Sequence, residues 1–183
     1  MRTEDEARFF AEFQSDWAQD VCILVLNTGL RQNDALGLSR FNVDWSSDVI
    51  RLVQGKTKRV VEIPMNNTVK ALLETRRHNG SDLFFPNPKN GLQGTSVKKA
   101  MLGACARAKI EPVTIRDLRR TFGTRLCELN VNSTVTARLL GHNDLRSVHR
   151  YERGKEIMRE AVGLLENLPK SYQLHTKPKI RKL

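Results

Sequence analysis

Residues 114–126 read TIRDLRRTFGTRL, a helix pattern that carries four arginines. At about 100° of rotation per residue, one side of such a helix collects the apolar side chains of Leu118, Phe122, Leu126 and Leu129. Arg116, Arg119 and Arg120 lie on the other side. Gly123 lies among them, and its missing side chain leaves room for a partner to approach. Arg119 borders the apolar side, so we expect its guanidinium to be half-buried and held still. A solvated basic face is the alternative interpretation of this helix taken alone.

The composition favours a polyanionic partner. The chain has 183 residues, enough for one domain with a proper core, and its 31 basic and 20 acidic residues give a net charge of +11. Such a charge favours nucleic acid first and an acidic membrane surface second. The longest apolar run, VCILVL at 21–26, is far too short to cross a membrane, and no basic amphipathic helix with large apolar residues indicates binding at its surface. We therefore predict a nucleic-acid partner and no membrane.

The N-terminus and the cysteines indicate an intracellular protein. The first ten residues, MRTEDEARFF, are charged and lack the apolar core of a signal peptide. Cys22, Cys105 and Cys127 are an odd number without close pairing, which suits a reducing compartment. Each lies among apolar or small residues of a predicted helix, so we expect buried packing and not a reactive thiol. The predicted location is the cytoplasm, on the nucleoid if the protein is bacterial or phage-encoded.

Local signals predict a mainly helical α+β fold with one small antiparallel sheet. The β-rich runs VIRLV at 49–53 and RVVEI at 59–63 are joined by QGKTK, which predicts a hairpin. Helices are predicted at about 4–13, 17–28, 31–38, 67–78, 97–108, 115–129, 134–140, 144–152 and 155–168. Residues 1–170 are expected to form one domain. Residues 171–183 are basic and poor in packing residues, which predicts a flexible tail.

Capping residues mark several of these helix ends. Ser15 and Gly29 bracket the second helix. Thr95 or Ser96 is predicted to cap the helix whose buried side begins at Val97. The arginine helix begins with Thr114 and, three residues later, an aspartate, which together form a helix-start box.

Several common chemistries do not fit the sequence. GKT at 55–57 resembles the end of a P-loop, but that motif needs glycine where Ile50 stands and a helix where a strand is predicted. The four histidines are scattered, without the HExxH or CxxC spacing of a zinc site. No dense acidic cluster indicates a two-metal nuclease, although Asp34, Asp44 and Asp48 stay open as metal ligands. We therefore predict no metal and no cofactor, and a phosphate chemistry that uses cations of the protein.

Four local features supply groups for such a chemistry, and their members are Arg31, Lys56, Arg116, Arg119, His142 and Tyr151. Two fixed guanidinium groups can hold the non-bridging oxygens of a pentacoordinate phosphate, and removing one such donor costs about 3 kcal/mol of barrier. A tyrosine can form a covalent phosphoryl intermediate, and a lysine can protonate the leaving oxygen.

The order of these motifs resembles that of the tyrosine recombinase (phage integrase) family. The resemblance rests on TGLR at 28–31, GKTKRVVEIP at 55–64, RDLRRTFGTRL at 116–126, LLGH at 139–142 and the tyrosine that follows. It covers most of the chain, from about 27 to 151. It implies a catalytic domain of helices with a small sheet, which cuts double-stranded DNA without metal or nucleotide.

The resemblance also implies a role for each matching residue. Arg31 and Arg119 would clamp the scissile phosphate. His142 would hydrogen-bond it, and Tyr151 would attack it to give a 3′-phosphotyrosine link.

Two further positions match the family pattern. Lys56 would be the general acid to the leaving 5′-oxygen, with Lys58 as the alternative if the hairpin register differs. Asp34 matches an acidic position for which we expect a structural role.

Two features depart from the family pattern. The family has histidine where this chain has Arg116, and a guanidinium stays protonated, so it cannot accept the tyrosine proton. Arg116 can still bind phosphate and favour a nearby tyrosinate. We expect activity to survive at a reduced or differently timed rate, with water or phosphate taking the proton. The family's N-terminal helical domain, which clamps the other side of the DNA, is expected to be absent from this chain.

Resemblance further implies a homo-oligomer on DNA, a tetrameric synapse assembled through the segment after Tyr151, at about 155–168. The apolar residues of that segment need either the protein's own core or a neighbour: Val162, Leu164, Leu165 and Leu168. Two alternatives remain. One is a DNA-binding module without catalysis, and the other is a nicking-closing enzyme like a type IB topoisomerase that works as a monomer.

Overall fold

The computed structural model describes residues 3–53, 60–141 and 153–169, and side chains at 3 and 153–157 are outside that description. The α-helices are α1 (Thr3–Ala11), α2 (Asp16–Thr28), α3 (Gln32–Leu36), α4 (Asn67–Arg76), α5 (Lys98–Ala108), α6 (Ile115–Glu128), α7 (Ser133–Leu139) and α8 (Arg153–Gly163). The strands are β1 (Val43–Asp44), β2 (Val49–Val53) and β3 (Val60–Pro64). Two 3₁₀ turns, Arg40–Asn42 and Leu164–Asn167, complete the described elements. The predicted helix at about 144–152 and the tail at 171–183 lie outside the described residues.

The predicted caps of α2 and α6 are confirmed. The Ser15 side chain accepts a hydrogen bond from the backbone N–H of Ala18, and Gly29 ends α2 in the left-handed region with φ of +66°. Thr114 and Asp117 form the full helix-start box, in which each side chain bonds the backbone N–H of the other residue. These ends follow from local chemistry, because the first N–H groups of a helix lack partners within it.

Ser96, one of the two residues predicted to cap α5, bonds the first N–H of that helix. Its hydroxyl oxygen accepts a hydrogen bond from the N–H of Lys98, with N and Oγ 3.0 Å apart. Val97 stands between them, directly before the helix, and gives it no side-chain cap. The buried side predicted for this helix is confirmed from Val97 through Ala108.

The sheet is antiparallel, with strand order β1-β2-β3. β2 and β3 pair from Val49 opposite Pro64 to Val53 opposite Val60, which confirms the predicted hairpin partners. The tip between them, residues 54–59, lies outside the described residues, and it contains both Lys56 and Lys58. β1 has only two residues and carries no pattern that the sequence analysis could detect.

Two apolar cores meet along α6. The main core contains α2, which is buried along almost its whole length, together with residues from α1, α3, α4, α5 and the sheet. Leu118 of α6 belongs to this main core. The C-terminal core begins one turn later, with Phe122 and Leu126 of α6, and it is completed by Leu139, Met158, Ala161, Val162 and Leu165. α6 is therefore a wall shared by both.

The segment after residue 153 packs on its own chain. Val162 and Leu165 are buried in the C-terminal core, while Leu164 and Leu168 are half-buried. The protein's own core therefore covers Val162 and Leu165, and Leu168 packs against it, where a neighbour was the alternative. Polar contacts hold the same segment. The Glu166 carboxylate accepts hydrogen bonds from the N–H and hydroxyl of Thr68 at the start of α4, at 3.0 and 3.1 Å.

Two smaller expectations need correction. Cys22 and Cys105 are buried as predicted, but Cys127 is exposed on the outer face of α6. Gly123 does not face an open approach. It is buried against α7, where a Cβ would lie 3.2 Å from Leu140 Cδ1. Among the described residues, no helix combines the length and apolar character needed to cross a membrane.

Candidate functional site

The two arginines predicted to bind phosphate lie in one cleft. Arg31 immediately precedes α3, two residues after the glycine that ends α2, and Arg119 projects from the first turns of α6. The cleft has a volume of about 800 Å³. Its floor is apolar, from Met101, Val113 and Ile115, and its lining also includes Arg31, Gln32, Ser96, Lys98, Leu102, Thr114, Arg116, Arg119, Arg120 and Leu140. The arrangement is a basic rim around an apolar floor.

The guanidinium of Arg119 is half-buried, as predicted from its place at the edge of the apolar side. Two backbone carbonyls fix it. Its Nη1 donates a hydrogen bond to the carbonyl of Gly29, 2.5 Å away, and its Nη2 donates to the carbonyl of Leu140. Burial, and then the neighbouring charge of Arg31, lower the pKa of Arg119 to about 10, and Asp34 acts in the opposite direction. A group with that pKa is still a cation at neutral pH, so Arg119 can bind an anion.

Arg31 is exposed and reaches the same turn of the chain. Its Nη2 lies 3.4 Å from the carbonyl oxygen of Gly141, the residue after Leu140. The two guanidinium groups thus contact two successive carbonyls at the end of α7. His142 follows Gly141 directly in the chain. The arginine pair therefore contacts the residues that immediately precede this predicted site histidine.

Asp34 lies behind the arginine pair. It lines a small cavity with Arg31 and Arg119 on one side and side chains of β2 and β3 on the other. Burial raises the pKa of the Asp34 carboxyl, and the two arginines lower it by a smaller amount. The structural role predicted for Asp34 stays a prediction.

The other two arginines at the start of α6 point to solvent. Arg116 and Arg120 are both exposed on the rim of the cleft, and Lys98 of α5 is exposed on the opposite rim. The fourth arginine of the segment, Arg125, faces away from the cleft and forms an ion pair with buried Glu6 of α1. The four arginines therefore divide into one held in the site, two on its rim and one in the core.

Four predicted site residues lie outside the described part of the chain, namely Lys56, Lys58, His142 and Tyr151. Their roles stay predictions. The structure thus brings together Arg31, Arg119 and Arg116 and leaves the other members of the site untested. Among the described residues, no group of three or more His, Cys, Asp or Glu side chains is arranged to hold a metal ion.

The backbone acceptors of the site could not be predicted from residue types. Gly29, Leu140 and Gly141 act through carbonyl oxygens, which no residue type identifies. One sequence signal was available, namely the two glycines. Gly29 and Gly141 stand where the chain turns sharply after a helix, and both have a positive φ, of +66° and +59°.

Comparison with known proteins gives a consistent result. The model of the phage integrase family matches residues 3–156. The tyrosine recombinase XerA of Pyrococcus horikoshii is 27% identical over 168 residues, which are 87% of this chain and 59% of that protein. A putative integrase/recombinase of Sinorhizobium fredii, y4qK, is 28% identical over 132 residues, 68% of this chain and 42% of that protein. The chain therefore spans less than two thirds of the length of these relatives.

Solved structures share the fold. The integrase from mycobacterium phage Brujita superposes with a TM-score of 0.71 at 20% identity, over 98% of this chain and 59% of that one. The lambda integrase catalytic core superposes with a TM-score of 0.65 at 19% identity, over 78% of this chain and 94% of that one. The predicted fold, mainly helical with a small antiparallel sheet, is confirmed by the structure and by these neighbours.

Proposed function

The chain belongs to the phage integrase family, and on that premise we propose that it is the catalytic domain of a site-specific tyrosine recombinase. It cleaves and rejoins double-stranded DNA by transesterification that needs no metal and no cofactor. The observation that supports this most is the pair Arg31 and Arg119, two guanidinium groups in one cleft, one of them held by two carbonyls. Residues 1–170 form the catalytic unit in this proposal.

The reaction exchanges one phosphodiester bond for another. The phenolic oxygen of Tyr151 attacks the scissile phosphorus, the bond to the 5′-oxygen breaks, and Lys56 or Lys58 gives that oxygen its proton. The product is a 3′-phosphotyrosine and a free 5′-hydroxyl. The reverse attack by a 5′-hydroxyl restores the DNA and releases the tyrosine, so no outside energy source is needed.

The arginine pair stabilises the transition state. Two non-bridging oxygens of the pentacoordinate phosphate carry the growing charge, and Arg31 and Arg119 bind them, with His142 as a further donor. Loss of one such donor typically costs about 3 kcal/mol, close to a hundredfold in rate. The half-burial of Arg119 strengthens its hydrogen bonds, because less water competes for them.

The rim of the cleft holds the duplex. Lys98, Arg116 and Arg120 are exposed cations on both sides of the arginine pair, and they can bind phosphates on either side of the cleavage point. Such contacts release counterions, so binding weakens steeply with salt. Arg116 has this role in place of the family histidine. It binds phosphate and favours a nearby tyrosinate, while water or phosphate takes the proton.

The protein acts as an oligomer on DNA, and we propose a tetrameric synapse. The fold relatives include a lambda integrase dimer bound to a core site and a lambda integrase tetramer bound to a Holliday junction. The segment after Tyr151 makes the contact through a surface that its own core leaves exposed. This surface is the outer face of α8 with Arg159 and Glu160, because Val162 and Leu165 are already covered.

Capture of a covalent adduct tests this function. A pool of randomised duplexes, each nicked so that the short strand beyond the nick is lost after cleavage, traps the intermediate without knowledge of the target. We expect DNA that stays bound to the protein in hot detergent. Tyr151→Phe abolishes this product, and Tyr172→Phe is the matched control, since the chain has two tyrosines.

Other outcomes identify the alternatives. Salt-sensitive binding to the same pool without any adduct favours a DNA-binding module that lacks catalysis. Relaxation of supercoiled plasmid by monomers, at a rate proportional to protein concentration, favours a nicking-closing enzyme. Adduct formation that persists in Tyr151→Phe contradicts the proposed nucleophile.

A further inference from the structure

Two glycines leave space for the side chain of Leu140. A Cβ at Gly29 would lie 2.9 Å from Leu140 Cδ2 and 2.6 Å from Cδ1 of Phe122. A Cβ at Gly123 would lie 3.2 Å from Leu140 Cδ1. The Leu140 side chain therefore lies between the end of α2 and the middle of α6, and it packs this closely because both positions lack a side chain.

The same residues supply the backbone acceptors of Arg119. The carbonyls of Gly29 and Leu140 accept hydrogen bonds from its two terminal nitrogens. The left-handed φ of Gly29 turns the chain away from α2 at this point. The position of the Leu140 carbonyl depends on how closely the end of α7 approaches α6, and Gly123 sets that distance.

We propose that Gly123 and Gly29 are positioning residues for Arg119. Gly123 lets Leu140 approach α6 and so places the Leu140 carbonyl, while the left-handed turn at Gly29 places the carbonyl of Gly29 itself. Together the two carbonyls fix the guanidinium in the orientation in which it binds the scissile phosphate. This inference rests on the function proposed above. It adds two residues that touch neither DNA nor the reacting atoms and that act through Arg119.

Orientation matters because a guanidinium is a rigid fork. Its five N–H groups lie in one plane, and two of them, on different nitrogens, are used by the carbonyls. The plane is thereby fixed, and the remaining N–H groups point where a phosphate oxygen can accept them. A misplacement of about 1 Å at a catalytic group can cost on the order of a hundredfold in rate. A smaller shift of Leu140 should cost less.

Gly123→Ala is the most informative change. Gly29 is a poor choice, because its φ of +66° would strain any alanine. Gly123 is in the interior of α6, where alanine is the better helix former. The added methyl pushes Leu140 by a few tenths of an ångström. We expect Tm to stay equal or rise while the rate of adduct formation falls about tenfold.

The matched control is Gly103→Ala, at a glycine inside α5 where a Cβ would meet only the flexible end of the Arg107 side chain, 3.2 Å away. It should leave Tm equal or raise it, as Gly123→Ala does, while the rate of adduct formation stays within the error of the wild type. A Gly123→Ala protein that loses rate and stability in parallel would show only a packing defect, and it would contradict a positioning role.

A modified substrate separates positioning from a general defect. In a methylphosphonate, a methyl group replaces one non-bridging oxygen of the scissile phosphate. An arginine that binds that oxygen then loses its hydrogen-bond acceptor. Arg119→Ala identifies the diastereomer on which Arg119 no longer matters. On that diastereomer Gly123→Ala should slow the reaction less than twofold. A tenfold effect on both diastereomers overturns the inference.

A measurement without DNA keeps this test independent of the proposed function. Rotation within a guanidinium held by two carbonyls is slow, so the ¹⁵N spectrum of arginine side chains should show separate terminal nitrogens for Arg119, assigned with Arg119→Lys. Gly123→Ala should weaken the hold of the carbonyls, so that rotation becomes faster and the signals of the two terminal nitrogens merge into one. Equal spectra for wild type and Gly123→Ala contradict the positioning role, whereas an absent adduct in the wild type contradicts only the recombinase function.

Discussion

Removal of Arg125 should be among the most costly single changes to a charged residue of α6. Its Nη2 lies 2.5 Å from Glu6 Oε2, and the two side chains are 15% and 1% exposed. Arg125→Met leaves a carboxylate in a buried site without this cation. Breaking a buried ion pair in this way typically costs about 3–5 kcal/mol.

A second ion pair, within α1, has the same N–O distance without the burial. Arg8 Nη2 lies 2.5 Å from Asp5 Oδ1, but these side chains are 53% and 31% exposed. An exposed pair contributes about 0–1 kcal/mol, because water screens both charges and the ordered side chains lose entropy. Arg8→Met is therefore the matched control. The N–O distance is equal in the two pairs, so the difference in burial should account for most of the difference in cost. Arg8→Met also removes the hydrogen bond from Arg8 to the Ala108 carbonyl, which can only raise the cost of the control.

Urea denaturation followed by circular dichroism measures the free energy of unfolding. We expect a loss of about 3 kcal/mol for Arg125→Met, equivalent to about 6–12 °C in Tm for a chain of this size, and less than 1 kcal/mol for Arg8→Met. Adding Glu6→Gln to Arg125→Met should recover part of the loss, because the charge of the buried carboxylate is then removed as well. Equal losses of stability for Arg125→Met and Arg8→Met would refute the role given to burial.

Three further predictions concern the site. Arg119→Lys should lower adduct formation at least tenfold while DNA binding at low salt changes less than threefold, because an ammonium cannot bond both carbonyls and a phosphate oxygen in one plane; single-turnover rates and filter binding check this. Arg116→His should preserve or raise the cleavage rate, since an imidazole can accept the tyrosine proton, and abolished cleavage would show that Arg116 is more than a tolerated substitute. Burial raises the pKa of Asp34 above its unfolded value, so its contribution to stability is favourable below the ordinary carboxyl pKa and is lost as the pH rises through the folded value. Asp34→Asn should therefore raise Tm at pH 7 and lose that advantage at low pH; a variant less stable than wild type at pH 7 would show that attraction to the arginines dominates.

The sequence predicted those parts of the fold and site that depend on local patterns. The start of α6 follows from Thr114 and Asp117, and the half-burial of Arg119 follows from its place at the edge of the apolar side. The β2–β3 hairpin likewise follows from two β-rich runs close in sequence. In each case the residues that determine the structure are neighbours along the chain.

The features that could not be predicted depend on contacts between distant residues. Nothing in the sequence near Arg125 indicates that its partner is Glu6, 119 residues away. The pattern of α6 places Gly123 beside the arginines, but the approach of Leu140 from α7 covers it. The apolar side chains of Val162 and Leu165 could pack on a neighbouring protein or on their own core. Only the fold shows that they pack on their own core.

The position of α6 between two apolar cores affects how the protein should lose activity. Leu118 belongs to the main core and Phe122 to the C-terminal core, so Arg119 lies at the seam between them. Its two carbonyl partners come from both sides of that seam, Gly29 from the end of α2 and Leu140 from the end of α7. If the two cores open as separate cooperative units, the smaller one melts first. Catalysis would then require both units to be folded at the same time. It would fail under mild denaturation that leaves most of the helix content intact.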